Sequence, residues 1–142
     1  MREIFFRGKR VDNKMWVYGY LSFIYWDVPE KARIYSPDEA RSFDVITETI
    51  GQFTGLCDKN GTRIFEGDIV GAKHPEQKKA VPCLVKYGEY EDEDGRVDCR
   101  YLGFCLEVFD KCCSILTPLS DGIEYEVIGN IFDNKELLEV TP

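Results

Sequence analysis

The chain has 142 residues, 44% of them hydrophobic and 13% aromatic, which allows a packed core and argues against disorder. Its net charge of −8 opposes non-specific attachment to nucleic acid or an anionic membrane, since both need a cationic surface. No apolar run approaches the ~20 residues of a bilayer span, and MREIFFRGKR lacks the long apolar segment of a signal peptide, so one cytoplasmic domain is expected.

Residues 2–7 (REIFFR) predict a first strand, and Val11-Asp12-Asn13-Lys14 the turn after it. Met15 to Trp26 predicts a long strand with Trp16, Tyr18 and Tyr20 on one face. Val17, Leu21, Phe23 and Tyr25 occupy the other. Both faces are apolar, so the strand is expected to lie between layers or to enter an interface. Trp16, Tyr18, Tyr20, Phe23 and Tyr25 are the candidate interface residues. Gly19 would permit a bulge or bend there.

Pro29 and Pro37 bracket a segment, Ala32 to Tyr35, that reads as an edge strand. Ser36-Pro37-Asp38-Glu39 has the order of a helix start: a capping serine, proline at the first position and glutamate three after the cap. Phe43 to Ile50 returns to β-branched residues, so any helix must be short.

Gly51 to Val70, GQFTGLCDKNGTRIFEGDIV, has the clearest local grammar. Two strand-like runs, Gln52–Leu56 and Thr62–Phe65, flank Asp58-Lys59-Asn60-Gly61. Asn-Gly between β-prone flanks predicts a hairpin with a type I′ turn, in which both central residues take positive φ. Glu66-Gly67-Asp68 predicts a second tight bend. Gly55, Asp58, Asn60, Gly61, Glu66, Gly67 and Asp68 thus form a structural corner. Glu66 and Asp68 are a conceivable acid–base pair, but their expected task is to accept backbone N–H bonds and set the turn.

Ile69–Ala72 and Val81–Tyr90 predict strands, with Pro82 pushing the second toward a sheet edge. Glu89 to Asp94 holds five acids in six residues, the composition of a solvated tip. Arg96–Phe109, Ser114–Leu119 and Glu124–Phe132 predict further strands, the last interrupted by Gly129. Asp133-Asn134-Lys135-Glu136 predicts a short helix over Lys135–Val140. Eight to ten strands with almost no helix indicate a small barrel or sandwich.

Six cysteines lack C-x-x-C spacing, and His74 is the sole histidine, so free buried thiols are expected rather than disulfides or structural zinc. No nucleotide-binding, metalloprotease or nucleophile-elbow motif occurs. Asp58-x-Asn60 and Asp92-x-Asp94-Gly95 lack the closing glutamate of a calcium loop. No catalytic, cofactor-binding or metal residue is assigned.

Three blocks in order, REIFFR with DNKMW, IGQFTGLCDKNGTRIFEGDIV, and YEVIGNIFDNKELL, resemble the YopX family of phage and prophage proteins. The resemblance spans Arg2 to Leu138 and implies an all-β fold with an SH3-type barrel. It brings no enzymatic activity. This chain departs from the pattern at Cys57 and in the acidic stretch 89–94. The expected organisation is one domain, with N-terminal strands and cover over 1–50, a barrel over 51–132, and a short helix and tail over 133–142. The expected role is a non-enzymatic accessory protein acting by protein–protein contact, as a homo-oligomer, with a phage or host protein as the other possible partner and nucleic acid disfavoured. A nucleic-acid-associated regulator is the rival, favoured by the basic bias of residues 1–14, and an enzyme with a dispersed site the third reading.

Overall fold

A computed structural model describes residues 3–24, 31–73, 75–91, 100–109, 114–118 and 123–138. Among the described residues eleven strands form two sheets, one ordered Arg41–Ile46, Lys31–Ser36, Trp16–Ile24, Phe6–Lys9, Gly51–Cys57 and Arg63–Phe65, the other Ser114–Pro118, Arg100–Phe109, Val81–Glu91, Asp68–Lys73 and Glu124–Asn130. The chain is all-β, as expected, but no closed barrel forms among the described residues. It divides into two compact units, Met1–Gly55 and Leu56–Pro142, with the strand β5 (Gly51–Cys57) straddling the division.

The first unit contains β1 (Phe6–Lys9), β2 (Trp16–Ile24), β3 (Lys31–Ser36) and β4 (Arg41–Ile46). Alternation decides which way each strand faces. Val17, Ala32, Ile34, Phe43 and Val45 point inward and make one core, with Phe6, Leu21 and Ile50 packed against it. The sheet curls, because β4 is tied back to the end of β1 by the Arg10–Val45 bridge and by the Val11 N–H donating to Asp44 O at 3.0 Å. Gly8 sits inside the curl, where a Cβ would meet Ile34 and Val45 at 3.1–3.3 Å.

Three expectations change here. Residues 31–36 form an inner strand, not an edge strand, because they pair with β2 on one side and β4 on the other, and Pro37 follows the last paired residue, Ser36; Pro29 lies outside the described residues. The Ser36 hydroxyl does accept the Glu39 N–H at 3.3 Å, as a helix cap would. No helix follows. Ser36 pairs with Arg41 and Ala40 takes φ 54°, so the same local bond closes a hairpin. Gly19 is not the bulge, which lies between Leu21 and Phe23.

The second unit contains β6 (Arg63–Phe65), β7 (Asp68–Lys73), β8 (Val81–Glu91), β9 (Arg100–Phe109), β10 (Ser114–Pro118) and β11 (Glu124–Asn130). β7 to β10 run as a meander, and β11 returns to pair antiparallel with β7. Ile64, Val70, Cys83, Val85, Leu106 and Tyr125 form its core. Pro82 does not place β8 at an edge. The β9 ladder starts at Cys83, so Pro82 faces only Gly71 of β7 and its missing N–H costs no bond on the β9 side. The predicted C-terminal helix is a 3-10 turn over Lys135–Leu138. The Asn134 side chain accepts the Asn130 N–H at 3.3 Å instead of capping a helix. Residues 139–142, His74 and 92–99 lie outside the described residues.

Cys57, Cys83 and Cys105 are free, Cys57 exposed and the other two buried. Cys99, Cys112 and Cys113 lie outside the described residues. Burial pushes the Cys83 thiol up to about 11 and raises that of Cys105. The Cys83 thiol also donates to Val81 O at 3.3 Å. Because the thiolate is the reactive form, brief alkylation of the native protein near pH 7.5 should mark Cys57 and spare Cys83 and Cys105. Peptide mapping that found Cys83 labelled as fast as Cys57 would contradict this packing.

Candidate interaction face and the Asp58 corner

In the second unit, the corner is built from backbone donors converging on two aspartates. Asp58 is 8% exposed, and its Oδ1 accepts the N–H of Asn60 and of Thr62, both at 2.9 Å. Its Oδ2 accepts the Val127 N–H at 2.9 Å, from a strand 69 residues away. The main chain adds Lys59 N–H to Tyr125 O at 3.0 Å, so the turn is fastened to β11. Burial alone would raise the Asp58 carboxyl; the amides of Val127, Thr62 and Asn60 and the charge of Lys59 outweigh it and hold the group below its ordinary 3.8. Lys59 also pairs with Glu124 at 3.2 Å and Glu126 at 3.6 Å, exposed contacts of small worth.

The turn is not type I′. Only Gly61 has positive φ, 81°, and the Gly61 N–H donates to Asp58 O at 3.0 Å. The Asp58 side chain favours this geometry, because its bonds to residues 60 and 62 keep Lys59 and Asn60 out of the left-handed region. A Cβ at Gly61 would meet nothing within 4 Å, so Gly61→Val should cost about 1 kcal/mol from backbone conformation alone. Urea unfolding should show this loss, with Gly61→Asn nearly neutral.

Asp68, 1% exposed, accepts the Phe65 N–H at 2.8 Å through Oδ2. Between them Gly67, at φ 91°, donates to Val85 O and accepts from Ile131 N–H, both at 2.9 Å. Burial raises the Glu66 carboxyl. The three Asp58 bonds and the Asp68–Phe65 bond go to main-chain amides, which makes this corner a fastening. Gly55, φ 89°, belongs to β5 in the first unit.

The first unit carries a surface of different character. Opposite its core, the outward positions of β1, β2 and β3 hold Arg7 and Lys9, Trp16, Tyr18 and Tyr20, and Arg33 and Tyr35, by the registers Arg7–Tyr18, Lys9–Trp16 and Tyr20–Tyr35. Tyr18, Tyr20 and Tyr35 are 42%, 47% and 39% exposed, which is high for neighbouring aromatics on one sheet. Arg7, itself only 5% exposed, lies 4.6 Å and Lys9 5.5 Å from the Trp16 ring centre, both cation–π distances. Phe5 packs edge-on against Tyr20 at 5.6 Å. Arg33 pairs with Asp44 at 3.1 Å.

Of the candidate interface residues, Trp16, Tyr18 and Tyr20 therefore share one surface, while Val17 faces the core. The strand is apolar on both faces but covered on one. Tyr25 and the side chain of Phe23 lie outside the described residues, and the bulge places position 23 opposite Arg33. Sequence reasoning missed Tyr35 and Arg33; the alternation around Ala32 and Ile34 was the available signal, hidden by the reading of 32–35 as an edge.

At one end of this face an open groove of about 320 Å3 is lined by Arg10, Met15, Trp16, Tyr18, Asp38 and Glu39 among others. Its charges have both signs, and Arg10 is engaged by Asp12 at 3.0 and 2.6 Å. Among the described residues no group of three or more His, Cys, Asp or Glu side chains could hold a metal ion. No described helix is long and apolar enough to cross a membrane.

Residues 5–139 match the family model described as YopX protein. The chain belongs to the YopX family. It is similar to the crystal structure of protein EF1440 from Enterococcus faecalis, at 28% identity and a TM-score of 0.50, over 98% of this chain and 100% of that one. A comparison with curated proteins returns no match. The YopX match takes in both the Asp58 corner and the tyrosine face, so each belongs to the region this family shares.

Proposed function

We propose that this YopX protein is a non-enzymatic accessory protein of phage or prophage origin, working in the bacterial cytoplasm through protein–protein contacts, first of all with itself. The observation that carries this reading is the exposed row Tyr18, Tyr20 and Tyr35 on a sheet whose opposite face is already packed. Large aromatics in such a row lose little conformational entropy on contact and dominate many interfaces. An SH3-type roll is the matching proposal for the second unit, supported by β11 returning beside β7 at the start of the meander.

Tyr18→Glu puts a charge at the centre of the proposed contact without touching the inward core. Light scattering across a concentration series should show the wild-type chain above monomer mass and the variant at monomer mass, with unchanged melting. A wild-type monomer at the highest concentration would remove the reading. The rival, a nucleic-acid-associated regulator, is favoured by the cations among the tyrosines; salt-sensitive, sub-micromolar binding of a single-stranded oligonucleotide would promote it.

A further inference from the structure

Among the described residues β11 forms one edge of its sheet, so a row of its main-chain groups points away from β7. Tyr125 stands opposite Ala72 and Val127 opposite Val70, two positions of the same kind in an antiparallel ladder. Their outward groups are taken. Tyr125 O accepts the Lys59 N–H at 3.0 Å, and the Val127 N–H donates to Asp58 Oδ2 at 2.9 Å. Farther along, the Asn130 N–H donates to Asn134 Oδ1 at 3.3 Å, and Asn130 O accepts the Asn134 N–H at 2.8 Å. A bare edge offers such groups to any other strand, which makes it a route to association.

We infer that the turn Asp58–Gly61 is an edge guard: it occupies the groups through which β11 would otherwise pair with β11 of a second copy. Register selects that occupant. Two antiparallel β11 strands, related by a two-fold axis at Glu126, set Tyr125 of each opposite Val127 of the other. Each Val127 N–H then meets Tyr125 O of the second copy. These are the same two groups that Asp58 and Lys59 hold in the structure. Charge is a second obstacle, because Glu126 would face Glu126 of the second copy, and like charges directly opposite weaken a strand pair. Lys59 offsets that charge within one chain, pairing with Glu124 at 3.2 Å and Glu126 at 3.6 Å. The guard acts in the second unit and is independent of the self-association proposed for the tyrosine face of the first.

The experiment uses the full chain with Tyr18→Glu throughout, so that contact through the tyrosine face is not what is read. Glu126→Gln removes the opposing charges and leaves the guard in place; adding Asp58→Asn opens the edge. Asparagine keeps an oxygen for the Asn60 and Thr62 amides but turns an NH2 group toward the Val127 N–H. The turn therefore persists while its hold on β11 is lost. Melting curves establish that both chains are folded. If Asp58→Asn melts below the working temperature, Lys59→Pro takes its place, deleting the N–H on Tyr125 O at a turn position that suits proline. Light scattering should find Y18E/E126Q monomeric and the edge-opened chain dimerising at least about tenfold more tightly. The Val127 amide of the opened chain should become protected from hydrogen exchange as concentration rises. Equal association of the two chains overturns the inference. So does tighter association that leaves the Val127 amide unprotected, since that contact runs elsewhere. If Y18E/E126Q itself associates, the tyrosine reading fails, while the difference between the two chains still decides the guard.

Discussion

Gly19→Ala should be the most damaging single methyl in the first unit. A Cβ at position 19 would lie 1.7 Å from Tyr35 O and 2.8 Å from Tyr35 C. Those are backbone atoms of the neighbouring strand, so no side-chain rotation relieves the overlap. The β2–β3 ladder must part where Tyr20 pairs with Tyr35. Overpacking usually costs 1–3 kcal/mol; a main-chain collision of this depth should reach about 4 kcal/mol or more. For a chain of this length that lowers the melting temperature by roughly 10 °C. Gly88→Ala is the control, because a Cβ there meets nothing within 4 Å; it should stay within about 0.5 kcal/mol of wild type. Circular dichroism melts of the two variants check the prediction. Equal melting would mean that β3 does not approach β2 as described. The same substitution should disturb the tyrosine face, since Tyr18 and Tyr20 flank the displaced residue.

Asp58→Ala is expected to have the largest effect in the second unit. It leaves the N–H groups of Asn60, Thr62 and Val127 without the carboxylate they share. Each lost acceptor costs 1–3 kcal/mol where water cannot replace it, and Asn60 is exposed, so about 3 kcal/mol overall is expected. The pH dependence has a definite sign. The folded carboxyl titrates below its ordinary 3.8, so its stabilisation is fully present above the unfolded value. It is lost as pH falls through the lower folded value. Wild-type stability should therefore drop on acidification below about pH 4. The alanine variant should lack that component and start from a lower plateau. Parallel acid profiles for the two proteins would show that the carboxylate is not what fastens the turn to β11.

The places where sequence reading succeeded and failed follow the range of the interactions involved. The turn at Asp58–Gly61 was legible, because its grammar lies within four residues, yet its type was not. A type I′ turn follows from Asn-Gly alone, whereas the observed turn depends on Asp58, whose other oxygen is held by Val127. The Ser36 motif shows the same limit: one serine-to-amide bond serves a helix cap and a hairpin turn equally well. The pairing of Ser36 with Arg41, and of the five residues behind each, decided between them. Pro82 signalled an edge because proline lacks a donor; the structure instead starts the β9 ladder one residue later.

By itself, the sequence determined an all-β chain, the approximate extents of the strands, the Gly-bearing turns and the aromatic richness of β2. Those properties come from alternation, β-branching and left-handed backbone positions, all local. Only tertiary structure decided that β3 is an inner strand, that β11 returns to β7, and that the sheet curls through Arg10 and Val45. It alone also placed Tyr35 and Arg33 beside Tyr18 and Tyr20. Strand pairing joins residues far apart in the chain, and its energy comes from burying one face of each strand in a shared core. A local pattern states that such a face exists without naming the strand that will cover it.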